Sequence, residues 1–171
     1  RIVDPDGRDL PAGAVGDIVL RGVAVMQGYW NKPAETAAAL RDGWLHTGDA
    51  GWRDAAGHIY VVDRLKDMVI TGGENVYSAE VEAALMAHPA VLACAVIGIP
   101  SALWGEAVHA VIVLRPGANS DGESLREHCR TRLAGYKCPK SFDFVDSLPL
   151  SAAGKILKTR LRDEYLSRTT A

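Results

Sequence analysis

The sequence predicts an α+β protein in two parts, a β-rich stretch over residues 1–65 and a mixed helix-and-strand unit over 66–171. Three observations carry this expectation. Residues 15–21 (VGDIVLR) and 58–62 (HIYVV) hold the β-branched residues that suit a pleated, half-buried surface. After Arg64 the pattern changes, and short apolar runs alternate with segments of helical spacing. With 48% hydrophobic residues in 171, the chain has enough apolar material to build a core.

Taken in order, Asp54-Ala55-Ala56-Gly57 is a turn that joins Gly51-Trp52-Arg53 to the 58–62 strand as a hairpin. Pro33 opens a short helix through Leu40, at a position where its missing N–H costs nothing. Residues 67–71 and 75–77 read as two strands turned by Gly72-Gly73. A helix follows with Ser78 as N-cap and Val81, Leu85 and Met86 on one side. Strands are expected at 91–98 and 108–114, joined by a loop through Pro100 and Trp104. Ser120 and Glu123 form a capping box, and Leu125, Cys129 and Leu133 recur every fourth residue, as on one helix face. A strand at 141–145, a loop over Pro149–Gly154 and a helix from Ile156 to about Ser167 complete the second layer.

A formal charge of −2 and scattered basic residues exclude the electrostatic footprint of a nucleic-acid binder. Cys94, Cys129 and Cys138 are odd in number and lack CxxC spacing, so neither a disulfide framework nor a zinc site is expected. A reducing, cytoplasmic setting follows. The longest apolar stretch, Val91–Pro100, is far short of the roughly 18–20 residues needed to cross a bilayer. No leader pattern opens the chain, and its start at Arg1 suggests a piece of something longer. His46, His58, His88, His109 and His128 form no metal-ligand spacing and none reads as catalytic. No GxSxG elbow is present, and Met26, Met68 and Met86 read as core or rim.

Several ordered blocks carry a family resemblance. Gly16-Asp17-Ile18, Gly28-Tyr29-Trp30-Asn31-Lys32-Pro33, Thr36 and Gly43-Trp44-Leu45-His46-Thr47-Gly48-Asp49 resemble the end of the large domain of the acyl-CoA synthetase, adenylation-domain and luciferase superfamily. The run from Val62 to Glu82 resembles its hinge and the start of its small domain. Leu133–Lys140 and Leu148–Lys155 resemble two further blocks. Adenylation domains of peptide synthetases usually carry a different hinge, and Lys66–Asn75 resembles the acyl-CoA ligase branch more.

The resemblance implies a two-step ligase. A carboxylate attacks the α-phosphate of Mg·ATP to give acyl-adenylate and pyrophosphate, and the thiol of CoA then displaces AMP. It implies that Asp49 accepts from both ribose hydroxyls, for which two carboxylate oxygens are suited. Arg64 would bind ribose or phosphate with its fork of donors, and Lys66 would be the hinge. Lys155, carried on a flexible loop, would be catalytic, bridging the attacking carboxylate and the α-phosphate as two anions meet. Gly72, Gly73 and Glu74 would border the pantetheine tunnel, where glycine permits close backbone approach. Trp104, Tyr136, Lys137 and Lys140 would serve the CoA nucleotide by stacking and charge. Cys138 stands where some relatives have arginine. By local rules alone, Gly48-Asp49 is a turn, Arg64 an inter-strand ion pair, and Lys66 and Lys155 solvated lysines.

The family's phosphate-binding loop and acyl pocket lie upstream of these blocks, so the parent reads as a ligase for a fatty or aryl acid and this chain alone as nearly inactive. Mg is expected to sit mainly in that upstream region. A non-catalytic nucleotide-binding or interaction module of the same fold is the competing reading. Residues 1–60 are expected either to pair with a second copy as a homodimer, or to depart from the family's barrel-like conformation.

Overall fold

The computed structural model describes residues 1–169 and divides the chain into two compact units, Arg1–Lys66 and the unit beginning at Asp67. In the first, β1 (Ile2–Val3), β2 (Gly16–Leu20), β3 (Leu40–Arg41), β4 (Trp44–Arg53) and β5 (Ile59–Arg64) form one sheet, with the short helix α1 (Pro33–Ala39) between β2 and β3. The ten-residue β4 is the spine. β2 pairs along it on one side, and β3 and β5 take successive halves of the other. The β4–β5 turn closes as expected, Asp54 N–H donating to His58 O at 3.0 Å and Gly57 N–H to Asp54 O at 3.1 Å. Pro33 stands at the first turn of α1. This helix buries no residue and is held by Thr36, whose hydroxyl donates to Lys32 O and accepts from Tyr29 N–H. Gly28 is required there, because a Cβ would lie 2.8 Å from the Thr36 methyl.

In the second unit, β6 (Val69–Thr71), β7 (Glu74–Val76), β8 (Val91–Ser101), β9 (Gly105–Leu114) and β10 (Ser141–Phe144) form a sheet centred on β9. β8 runs antiparallel along the whole of β9, while β10, in parallel, and β6 take the other side. α2 (Ser78–Met86) and α3 (Gly122–Arg130) cover one face, where Val81, Leu85, Leu125 and Cys129 meet Val69, Val96, Val108, Ala110 and Ile112. α4 (Lys158–Thr169) covers the other, where Leu161 and Tyr165 meet Ala95, Ile97, Ile99 and Val111. A sheet buried on both faces needs apolar residues at consecutive positions rather than alternate ones, which explains the unbroken run in β8. Burial pushes the Cys94 thiol up to about 12 and the Cys129 thiol to about 11.

Four local expectations are corrected. β8 and β9 each run three residues closer to their connection than the predicted ends, passing Pro100. Among the described residues β8 pairs only with β9, so a proline without an N–H is tolerated on this edge strand. Ser78 is not the cap of α2: Tyr77 is, without a side-chain bond, and Ser78 is fully buried inside the first turn. The cap of α3 is Asp121, accepting from Ser124 N–H at 2.8 Å. Glu123 turns outward to Arg126 and Arg130 instead of closing a box with Ser120. Met86 leaves the buried face of Val81 and Leu85 and is 43% exposed.

Candidate functional site

In the first unit the Thr47-Gly48-Asp49 segment is a bulge in β4. The register against β2 shifts between Asp17 and Val19, whose partners are Ala50 and His46. Gly48 takes φ +74°, which glycine adopts without a Cβ penalty. The Thr47 hydroxyl locks the bulge by donating to Ile18 O at 2.8 Å and accepting from Asp49 N–H at 3.1 Å. Beside it, His46 Nδ1 and Asp17 Oδ2 lie 2.6 Å apart in a nearly buried pair. Asp49 then sits directly across from Arg64 in the β4–β5 register, with Nε 2.7 Å from Oδ1. The structure thus brings these two predicted residues together. Half-exposed pairs of this kind contribute at most about 1 kcal/mol to stability, so a ligand can compete for either partner.

Lys66 lies in a single 3-10 turn, Leu65–Asp67, that closes the first unit and opens the second. It is exposed.

In the second unit the β6–β7 connection is the two-residue turn Gly72-Gly73, with φ +60° and +83°. Positive φ at both positions belongs to a type I′ hairpin, which Gly-Gly accommodates. Gly72 N–H donates to Trp104 O at 2.9 Å, and a Cβ on Gly72 would stand 3.0 Å from the Trp104 ring. Glu74 is exposed beside this turn. Gly72, Gly73, Glu74 and Trp104 therefore share one edge, rimmed by the exposed side chains of Ile70 and Leu103.

Tyr136, Lys137 and Lys140 follow α3, on a segment that leads into β10. Tyr136 and Lys140 are exposed. The Lys137 ammonium is engaged by both oxygens of Glu80, at 2.8 and 2.7 Å, and lies 5.9 Å from the Tyr136 ring centre. It is committed to α2 rather than presented as a bare charge. Cys138 is 3% exposed and packs with Cys94 and Cys129, so this position belongs to the core and offers nothing to a phosphate.

Lys155 is carried by an ordered turn, not by a flexible loop. Leu150 and Ile156 form a β-bridge, and Ser151 N–H donates to Lys155 O at 2.8 Å. Lys155 N–H donates to the Ser151 hydroxyl at 3.1 Å, Leu157 N–H donates to Pro149 O at 2.9 Å, and Gly154 turns the chain at φ +75°. The Lys155 side chain stands in solvent, and among the described residues no group bonds its ammonium.

Sequence reasoning missed the polar groups that hold these turns. Glu106 accepts from Ile70 N–H at 2.8 Å under the glycine turn. Lys158 and Glu82 meet beneath the Lys155 turn at 2.7 Å. These partners lie far apart in the chain, so no local spacing announces them. Among the described residues no group of three or more His, Cys, Asp or Glu could hold a metal ion.

Residues 80–155 match the AMP-binding enzyme C-terminal domain. A feruloyl-CoA synthase of Amycolatopsis sp is 52% identical over 165 residues, covering 96% of this chain and 34% of that protein. The fatty acid–[acyl-carrier-protein] ligase ScoC of Streptomyces coeruleorubidus is 44% identical, covering 96% and 32%. The crystal structure of ATP bound MatB from Rhodopseudomonas palustris superposes with a TM-score of 0.90 at 42% identity, covering 96% of this chain and 33% of that one. At 96% coverage this likeness takes in most of residues 1–60. The chain spans about a third of the length of the relatives it matches. With the Leu65–Asp67 turn, the bulged Thr-Gly-Asp strand and the glycine–lysine turn in place, the chain is similar over 96% of its length to acyl-CoA ligases and synthetases, and over residues 80–155 it carries the AMP-binding enzyme C-terminal domain.

Proposed function

We propose that this chain is the C-terminal part of an ATP-dependent, AMP-forming acid–thiol ligase that converts a carboxylate, ATP and CoA to acyl-CoA, AMP and pyrophosphate. The observation that carries the reading is Lys155: an ammonium on a hydrogen-bonded turn, exposed and bonded by no group among the described residues. A lysine held this way is preorganised to meet charge that develops elsewhere. In the complete enzyme it stabilises the approach of the carboxylate to the α-phosphate. Asp49 and Arg64 exchange their mutual ion pair for the ribose and phosphate of the nucleotide. Lys66 is the pivot between the unit that ends the large domain and the small C-terminal domain. After adenylation, rotation there withdraws Lys155 and presents the edge of Gly72, Gly73, Glu74 and Trp104 to the pantetheine arm. Tyr136 and Lys140 serve the CoA nucleotide, with Lys137 contributing only if it leaves Glu80.

The feruloyl and fatty-acid relatives support an aryl or fatty carboxylate, and with it a place in fatty-acid or aromatic-acid metabolism. Mg·ATP is the nucleotide substrate, with Mg held outside the residues described. The protein works in the cytoplasm; no described helix is long and apolar enough to cross a membrane. The chain on its own is nearly inactive and associates as a homodimer through its first sheet. The carrier-protein ligase favours a second reading, in which the acceptor thiol belongs to a carrier protein and the acid activation is the same.

The test uses the complete protein. Lys155→Ala should slow acyl-adenylate formation by about 10²-fold or more, the range for losing one preorganised group, while supplied acyl-adenylate still reacts with CoA. Parallel loss of both half-reactions would make Lys155 structural. Transfer to a carrier protein but not to CoA would select the second reading.

A further inference from the structure

Beneath the Lys155 turn lies a polar cluster that the reaction scheme does not use. Lys158 is the first residue of α4 and three positions beyond Lys155. Its ammonium lies 2.7 Å from Glu82 Oε1 and donates to the Ser78 hydroxyl at 2.6 Å. Glu82 Oε1 also accepts from Val96 N–H at 2.8 Å. The two charged side chains are only 13% and 22% exposed. One turn further along α4, Arg162 meets Asp67 at 3.1 Å, with side chains 26% and 14% exposed.

A nearly buried ion pair is a poor source of stability, because desolvation of both charges roughly cancels their attraction, and well-packed apolar replacements are often neutral or better. What such a pair does supply is a single geometry. Here the geometry reaches Lys155. The chain from Lys158 back to Lys155 spans at most roughly 10 Å. On that short span Ile156 is fixed by its bridge to Leu150 and packs in the α4-side core, and Leu157 N–H is held by Pro149 O. No loose residue separates the anchor from the ammonium. α2 and β8 hold Lys158, Lys158 holds the start of α4, and α4 holds the turn. Arg162 gives the same helix a second anchor at Asp67, the last residue of the 3-10 turn.

We propose that Lys158, held by Glu82 and Ser78 and assisted by the Arg162–Asp67 pair, is a positioning residue that sets the placement of Lys155 for adenylation. This rests on the ligase reading above. It predicts a defect confined to one half-reaction, since the thioester step does not use Lys155.

The experiment places a Glu82→Gln/Lys158→Met double variant in the complete protein, so that neither charge is left buried alone. Acyl-adenylate formation should fall by about 10²-fold, the order associated with an ångström of misplacement. The melting temperature and the reaction of supplied acyl-adenylate with CoA should be unchanged. Parallel loss of both half-reactions, or unchanged adenylation, would overturn the proposal. Should the double variant not fold, Lys158→Arg keeps a cation paired with Glu82 while changing the reach and geometry of the anchor. It should then slow adenylation selectively and by less, and a parallel loss would again overturn the role. Lys155→Ala and the unaltered protein are run alongside: no acyl-adenylate from the unaltered protein overturns the ligase reading itself, whereas intact adenylation in Lys155→Ala removes the catalytic role of Lys155, and with it the positioning role of Lys158.

Discussion

The two units differ in how they are held. Among the described residues, the first buries only Ile2, Val3, Ile18, Val19 and Ala50 of its apolar side chains, and relies on strand pairing around β4. It also leaves Val23, Trp30 and Val61 well exposed. The second fills both faces of its sheet, with Leu85, Ile97, Ile112 and Leu125 fully enclosed. Burial of large apolar side chains is the main favourable term in folding. The second unit therefore has its own source of stability, and the first depends far more on ladder hydrogen bonds and on polar locks such as Thr47 and the His46–Asp17 pair.

The sharpest way to break this contrast is Leu125→Ala. Removing a fully buried leucine should destabilise the second unit by about 2–5 kcal/mol. Hydrogen exchange should show the loss in β8, β9 and α3 while the β2–β4 ladder keeps its protection. Equal loosening of both units would show that they unfold as one body.

A smaller effect is expected at the glycine turn. Gly72→Ala forces a side chain into the left-handed region, costing about 1–2 kcal/mol, and drives a Cβ onto the Trp104 ring at 3.0 Å. The loss should be read in the melting of the second unit, and Trp104 fluorescence should change with it. An unchanged emission spectrum would separate Trp104 from the turn.

The gentlest test is pH. His109 is 1% exposed, with Nδ1 2.8 Å from the Ser141 hydroxyl and Nε2 3.6 Å from Asp143. Burial, the largest cause, lowers its pKa below 6.5, with Asp143 pulling the other way and Arg168 adding to the depression. Below 6.5 the unfolded chain binds the proton that the folded one resists. Stability of the second unit should fall as pH drops below 6.5, and a His109→Gln variant should flatten that part of the profile. An identical slope in the variant would assign the effect to other groups.

The same contrast explains what was legible in the residues. The β4–β5 hairpin, the Gly72-Gly73 turn and the helix faces of Leu125 and Cys129 were readable because turn chemistry and periodicity are local. The helix caps were misplaced by one residue each. Ser78 looks like a cap by type, yet tertiary packing buries it against Lys158, and Asp121 outcompetes Ser120 for the same role. The order around Lys155 was missed because its turn is closed by Leu150 and Ile156, which no turn rule singles out. Lys158 with Glu82, and Lys137 with Glu80, join segments that only the folded sheet brings together.

The three enclosed thiols give the second unit a built-in clock. A thiolate is the form that alkylating reagents attack, and with Cys94 pushed up to about 12 and Cys129 to about 11, closed molecules present almost none of it. All three cysteines of the chain lie in this one unit. Labelling at neutral pH therefore counts openings of the second unit alone, and the first unit can fray without being recorded.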